Sequence, residues 1–142
     1  MRFVGWFQIV IGAAVAGLWT LLLATGQVPE VQAGQVDIWF HVAAELTMAA
    51  ALLAGGIAVL RATPRGPLLS AFALGWLAYS AVNSPGYYAE SGEWAVVAMF
   101  AVIVAAAAAA FARLAKRAAA VTAPTSDTEP AEVVGADSEG PA

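Results

Sequence analysis

Four long apolar runs, separated by short polar connections, dominate the chain. They cover residues 3–23, 38–60, 67–83 and 94–112, and only His41 and Glu45 interrupt the second run. A helix needs roughly 20 apolar residues to cross a hydrocarbon layer of about 30 Å. A helix on the surface of a soluble protein would instead carry a polar stripe, which these runs lack. The pattern therefore predicts an all-α integral membrane protein, folded as an antiparallel four-helix transmembrane bundle.

Composition agrees with a membrane protein. Hydrophobic residues make up 61% of the chain and charged residues 11%, whereas soluble domains average roughly 45–50% and 25%. There is no cysteine, which excludes disulfides, thiolate metal sites and thiol redox chemistry. Residues 1–117 are predicted to form the bundle. Residues 118–142, which hold five acids and no basic residue, are predicted to be a disordered cytoplasmic tail.

The basic residues predict the orientation in the membrane. They occur only before the first run, between the second and third runs, and after the fourth: Arg2, Arg61, Arg65, Arg113, Lys116 and Arg117. The other two connections hold only acids, which are Glu30, Asp37, Glu90 and Glu93. Basic loops stay in the cytoplasm. Both termini are therefore predicted to be cytoplasmic, in a multi-pass protein of the cell (inner) membrane.

The first run has an alternative interpretation as a cleaved secretory signal. Arg2 precedes it, and Val31-Gln32-Ala33 has the small residues of a cleavage site. The apolar core of a signal usually has about 7–15 residues, so the longer run here favours a retained span. Cleavage would leave three helices and an external N-terminus.

Each run also predicts which helix face packs inside. The first carries a small-residue pattern that permits close helix contact: Gly12, Ala13, Ala16 and Gly17. The interior face of the second is predicted to hold His41, Glu45, Met48, Leu52, Gly55 and Gly56. The interior face of the third is predicted to hold Phe72, Trp76, Tyr79, Ser80 and Asn83, with Leu74, Leu77, Ala78 and Ala81 facing away.

A polar cluster near the outer surface is the candidate site. His41 and Glu45 lie one helical turn apart, and ionisable residues inside a membrane are costly and usually functional. The candidate ligand-binding residues are His41, Glu45, Tyr79, Ser80 and Asn83, with Tyr87 and Tyr88 at the pocket mouth. Three other interpretations stay open: hydrogen bonds that only hold helices together, a proton or cation relay, and a metal or haem site. One histidine and no cysteine are too few donors to predict a metal centre.

The sequence contains no P-loop, GxSxG or HExxH motif. It therefore favours a non-catalytic role, as an accessory subunit or small-ligand binder of a bacterial inner membrane, and predicts no particular cofactor. The alternatives are a proton- or cation-coupled transporter component using Glu45 and His41, and a membrane oxidoreductase component. Expected partners are the lipid bilayer and a membrane protein or a second copy, and not nucleic acid. In architecture the layout resembles small bacterial membrane families such as the DoxX-like proteins.

Overall fold

The computed structural model describes residues 1–122, in which helices are joined by short connections and no strand occurs. The helices are α1 (Arg2–Ala24), α2 (Pro29–Gln32), α3 (Asp37–Leu60), α4 (Gly66–Asn83), α5 (Pro85–Glu90) and α6 (Trp94–Thr122). Three of them, α1, α3 and α6, are long and apolar enough to cross a membrane. The fourth long helix, α4, has 18 residues and is not one of these three.

The predicted end of the fourth apolar helix is wrong. α6 continues past residue 112 to Thr122, so residues 118–122 of the predicted disordered tail are helical. Three alanines follow Arg117, and alanine is the strongest helix former. The rest of the predicted tail lies outside the described residues.

Two short helices were not predicted. Both α2 and α5 begin with a proline, at Pro29 and Pro85. Proline is favoured at the first position of a helix because its missing N–H would have no partner there. The chain does break after Asn83, as Pro85 requires, but beyond Ser84 it continues as α5 and not as an open turn.

Glycines set the spacing between α1 and α3, which run antiparallel. A Cβ on Gly12 would lie 2.8 Å from the carbonyl oxygen of Ala49, and a Cβ on Gly56 would lie 2.7 Å from that of Gly5. Neither position has room for a side chain. The small-residue pattern predicted for α1 is therefore correct at Gly12, whereas Gly17 has no neighbour within 4 Å and takes no part in the contact.

α3 packs against α4 through the adjacent glycine. A Cβ on Gly55 would lie 3.1 Å from the Cα of Ser70. Two consecutive glycines thus let α3 approach α1 on one side and α4 on the other. Together with Met48 and Leu52, they are buried, which confirms these four positions of the predicted interior face of α3.

The predicted interior face of α4 is wrong. Phe72 is 62% exposed and Tyr79 is 71% exposed, whereas Leu74, Leu77 and Ala81 are buried. Helices in an apolar solvent associate through small side chains that let backbones come close. On α4 the buried face combines the small residues Ser70, Ala73 and Ala81 with Leu74 and Leu77. Phe72 and Tyr79 face outward, and Trp76 is half-buried against the core. A core forms where α4 packs between α3 and α6. It contains Val4, Met48, Leu52, Val59, Ala73, Leu74, Leu77, Ala107, Ala110 and Leu114.

The two ends of the molecule carry opposite charge. At one end the guanidinium of Arg113 lies 4.5 Å from the centre of the Phe3 ring. Met1, Thr63 and Arg117 line a common cavity nearby, so the start of α1, the α3–α4 connection and the last turns of α6 meet there. All six basic residues lie in these segments, whereas α2, α5 and the connections at the opposite end hold acids.

Candidate functional site

A hydrogen bond joins α3 to α4 at the acidic end of the molecule. The hydroxyl of Ser80 donates to Oε1 of Glu45, and both side chains are half-buried. The antiparallel packing of α3 and α4 places these residues opposite one another, ten positions along each helix from the Gly55–Ser70 contact. The structure thus brings together two of the residues predicted for the site.

Tyr88 of α5 lies within electrostatic range of Glu45. Its ring packs against the ring of Phe100, with centroids 5.8 Å apart, and against that of Tyr87, at 5.4 Å. Burial raises the pKa of the Tyr88 phenol above its usual 10.0, and the negative charges of Glu93 and, more weakly, Glu45 raise it further. The phenol is therefore a proton-bearing hydrogen-bond donor at neutral pH, within electrostatic range of the Glu45 carboxylate.

His41 lies one turn from Glu45 but has a different partner. Its ring is exposed and meets the edge of Trp19 on α1, with centroids 5.6 Å apart and planes at 70°. Within residues 1–122, no hydrogen bond links His41 to Glu45. His41 therefore contacts α1 through Trp19 and takes no part in the Ser80–Glu45 hydrogen bond.

The remaining predicted site residues do not reach the Glu45 carboxylate. Tyr79 and Asn83 are exposed. Tyr79 is one residue before Ser80, which turns its side chain by about 100° around the helix, and Asn83 lies at the exposed end of α4. Tyr87 is exposed at the surface of α5 and touches the site only through the ring of Tyr88.

A second polar contact lies deep in the protein and was not predicted. Nε2 of Gln8 on α1 donates to the hydroxyl oxygen of Ser70 on α4, and both residues are 0% exposed. Oε1 of Gln8 is buried without a hydrogen-bond partner. Each residue is the first polar position of its apolar run, and the adjacent Gly55 leaves room for the contact. That combination is the sequence signal for it.

The two polar contacts are separated by an apolar layer. Along α4, Ser80 and Ser70 are ten residues apart, or about 15 Å at about 1.5 Å per residue. The fully or almost fully buried side chains of Met48, Leu52 and Leu74 fill the space between them. The polar groups around Glu45 are therefore confined to the acidic end and do not form a continuous polar path through the protein.

The groups around Glu45 determine which kind of ligand this site suits. A carboxylate offers about four lone-pair positions, and within the described residues Glu45 uses one of them, for Ser80. Its other acceptor positions suit a small ligand that donates hydrogen bonds or carries positive charge.

Fold and site define an all-helical protein with three helices able to cross a membrane by length and apolarity. The chain belongs to the family described as Domain of unknown function (DUF8058), whose profile matches residues 1–124. A search of curated proteins and one of solved structures give no match. Any function must therefore be argued from the geometry of the site.

Proposed function

We propose that the chain is a multi-pass protein of a bacterial inner membrane, in which α1, α3, α4 and α6 form an antiparallel four-helix transmembrane bundle. With 18 residues, α4 is about 27 Å long at about 1.5 Å per residue, close to the thickness of the hydrocarbon core. Its packing between α3 and α6 supports a fourth span. The basic end, by the positive-inside rule, is then cytoplasmic together with both termini.

In this bundle the protein acts as a non-catalytic small-ligand binder or accessory subunit, and its binding site is the outward-facing polar site around Glu45. The observation that carries this proposal is the Ser80–Glu45 hydrogen bond beside Tyr88. A purely structural bond between two helices would need only neutral partners, which cost less to place in a membrane than a carboxylate. The acceptor positions that Ser80 leaves open are those that a ligand fills.

Native mass spectrometry of the full-length protein, purified in a mild detergent, tests this proposal. Wild type should retain a small molecule as an added mass, and Glu45→Gln should lose it, because an amide keeps the shape but removes the charge and one acceptor. Glu30→Gln in α2 makes the same chemical change outside the Glu45 site and should keep the ligand.

Two results would contradict ligand binding at Glu45. One is a wild-type protein that carries no added small molecule when it is isolated from its native membrane. The other is an added mass that Glu45→Gln retains as fully as Glu30→Gln does. Melting curves in detergent identify any variant that loses the ligand only because it unfolds.

A proton- or cation-conducting role is the second candidate, and the buried Gln8–Ser70 contact favours it. This contact continues the polar groups toward the basic end, beyond the reach of Glu45. Conduction would require the intervening apolar layer to open. Proton flux into liposomes that contain wild type, abolished by Glu45→Gln and unchanged by Glu30→Gln, would support transport over simple binding.

A further inference from the structure

Two neighbouring cavities open at the basic end, far from Glu45. Their volumes are about 80 Å³ and 270 Å³, and Met1, Pro67 and Arg117 line both. Leu114 and Val121 of α6 add apolar wall to the larger one. The cavities therefore form one concave surface between the start of α1, the start of α4 and the last turns of α6.

The cationic groups of this surface are not neutralised within the described part of the chain. The Arg117 guanidinium and the amino group of Met1 form no ion pair with any carboxylate of residues 1–122. Arg113 is held at the same end by the ring of Phe3. A guanidinium is a planar fork of donors that matches the oxygens of a phosphate group.

We propose that this surface is a binding site for an anionic phospholipid. The lipid phosphate binds the Arg117 guanidinium, and the start of an acyl chain lies against Leu114 and Val121. The larger cavity is somewhat below the roughly 300–1,000 Å³ of pockets that bury a whole ligand. It accordingly holds part of the lipid, and the remainder stays in the bilayer.

The location of the surface agrees with such a ligand. In the proposed topology the basic end lies at the cytoplasmic leaflet, whose anionic lipids attract basic residues beside membrane helices. The competing occupant is the acidic segment of residues 127–139, which follows α6 in the chain. This segment offers carboxylates for Arg117 and also Val133 and Val134 for the apolar wall. The lipid is favoured because its phosphate and acyl chain are both held at the level of this surface in the cytoplasmic leaflet.

The test uses full-length protein in detergent, titrated with phosphatidylglycerol or phosphatidylcholine and observed by native mass spectrometry. Wild type should retain phosphatidylglycerol in preference to phosphatidylcholine. Arg117→Gln should weaken the retention about fivefold, the equivalent of about 1 kcal/mol for one basic residue. Lys116→Gln removes the same charge from the preceding residue, which lines neither cavity, and should change lipid retention much less.

Three outcomes would overturn the proposal: equal retention of the two lipids, equal effects of Arg117→Gln and Lys116→Gln, or lipid binding only in a full-length variant whose five tail acids are replaced by amides. The last outcome would identify the tail as the occupant. Each variant must melt like wild type in lipid-free detergent. If Arg117→Gln does not fold, Arg117→Lys serves instead, because it keeps the charge, removes the fork and should give a smaller but measurable loss.

Discussion

At the scale of single residues, α4 places one serine in each of the two polar contacts. Ser80 donates to Glu45 of α3, and Ser70 accepts from Gln8 of α1. A serine is small enough for two backbones to approach closely and still offers a hydroxyl between them. Hydrogen bonds of this kind between membrane helices contribute about 0.6 kcal/mol on average and at most about 1.7 kcal/mol. They therefore fix the register of the helices more than they hold the fold together.

The Gln8–Ser70 contact predicts a measurable coupling between the two residues. Gln8→Leu and Ser70→Ala should each destabilise the fold, because each leaves a buried partner without its hydrogen bond. The double variant should be more stable than the sum of the single effects predicts, by about 0.6–1.7 kcal/mol. Unfolding in mixed detergent across the full mutant cycle measures this difference. Strictly additive effects would show that the contact contributes nothing.

Tyr88 predicts how stability depends on alkaline pH. The pKa of its phenol is raised in the folded protein above the ordinary 10.0, so the unfolded chain loses this proton first as the pH rises. The stabilisation from the neutral phenol is complete below pH 10 and is lost as the pH approaches the folded pKa. Tyr88→Phe should therefore show a smaller fall in melting temperature between pH 9 and pH 11 than wild type.

Tyr79→Phe is the matched control for this titration, because the Tyr79 ring is exposed on α4. It should follow the wild-type alkaline profile. A Tyr88→Phe profile that coincides with the wild-type one would mean that Tyr88 is not held near Glu93 and Glu45 in the folded protein.

At the scale of helices, the two faces that carry the site differed in how far the sequence could predict them. On α3 the small residues and the polar residues lie on the same face, so a search for either kind finds the face that contains Gly55 and Gly56. On α4 they diverge, because Tyr79 and Asn83 are polar whereas Ala73 and Ala81 are small, and the structure follows the small residues. Polarity therefore did not decide which face of α4 is buried, and Leu74 and Leu77 are buried beside the small residues.

The glycine contact between α1 and α3 predicts a sharp contrast between two equivalent substitutions. Gly56→Ala would place a methyl group 2.7 Å from the carbonyl oxygen of Gly5, which forces the helices apart and should cost about 1–3 kcal/mol. Gly17→Ala meets nothing within 4 Å and should leave stability nearly unchanged. Detergent unfolding of both variants provides the comparison, and equal costs would refute the close α1–α3 contact.

At the scale of the whole molecule, the sequence predicted four long helices and the charge of the connections between them. It did not predict α2 and α5, because each is too short for its apolar spacing to be seen, although proline at the first position was a usable signal. The sequence named Tyr88 beside Glu45 and Ser80 as part of the site, but not the helix α5 that positions its ring against Phe100. The Gln8–Ser70 contact needed the relative register of three helices, which no single run contains.

The number of spans is the central claim on which the outward site and the inward lipid surface both depend. If only α1, α3 and α6 crossed the membrane, the two termini would lie on opposite sides. With α4 as a fourth span, they lie on the same side, and the connection that carries α5 lies on the other. Reporter fusions that are active on one side of the membrane distinguish these arrangements directly.

A reporter pair, one active only in the cytoplasm and one only outside it, should be placed at the N-terminus, after Ser91 and after Arg117. The four-span bundle predicts cytoplasmic signals at both the N-terminus and Arg117, and an external signal at Ser91. A cytoplasmic signal at the N-terminus with an external signal after Arg117 would contradict it, since the chain would then cross the membrane an odd number of times.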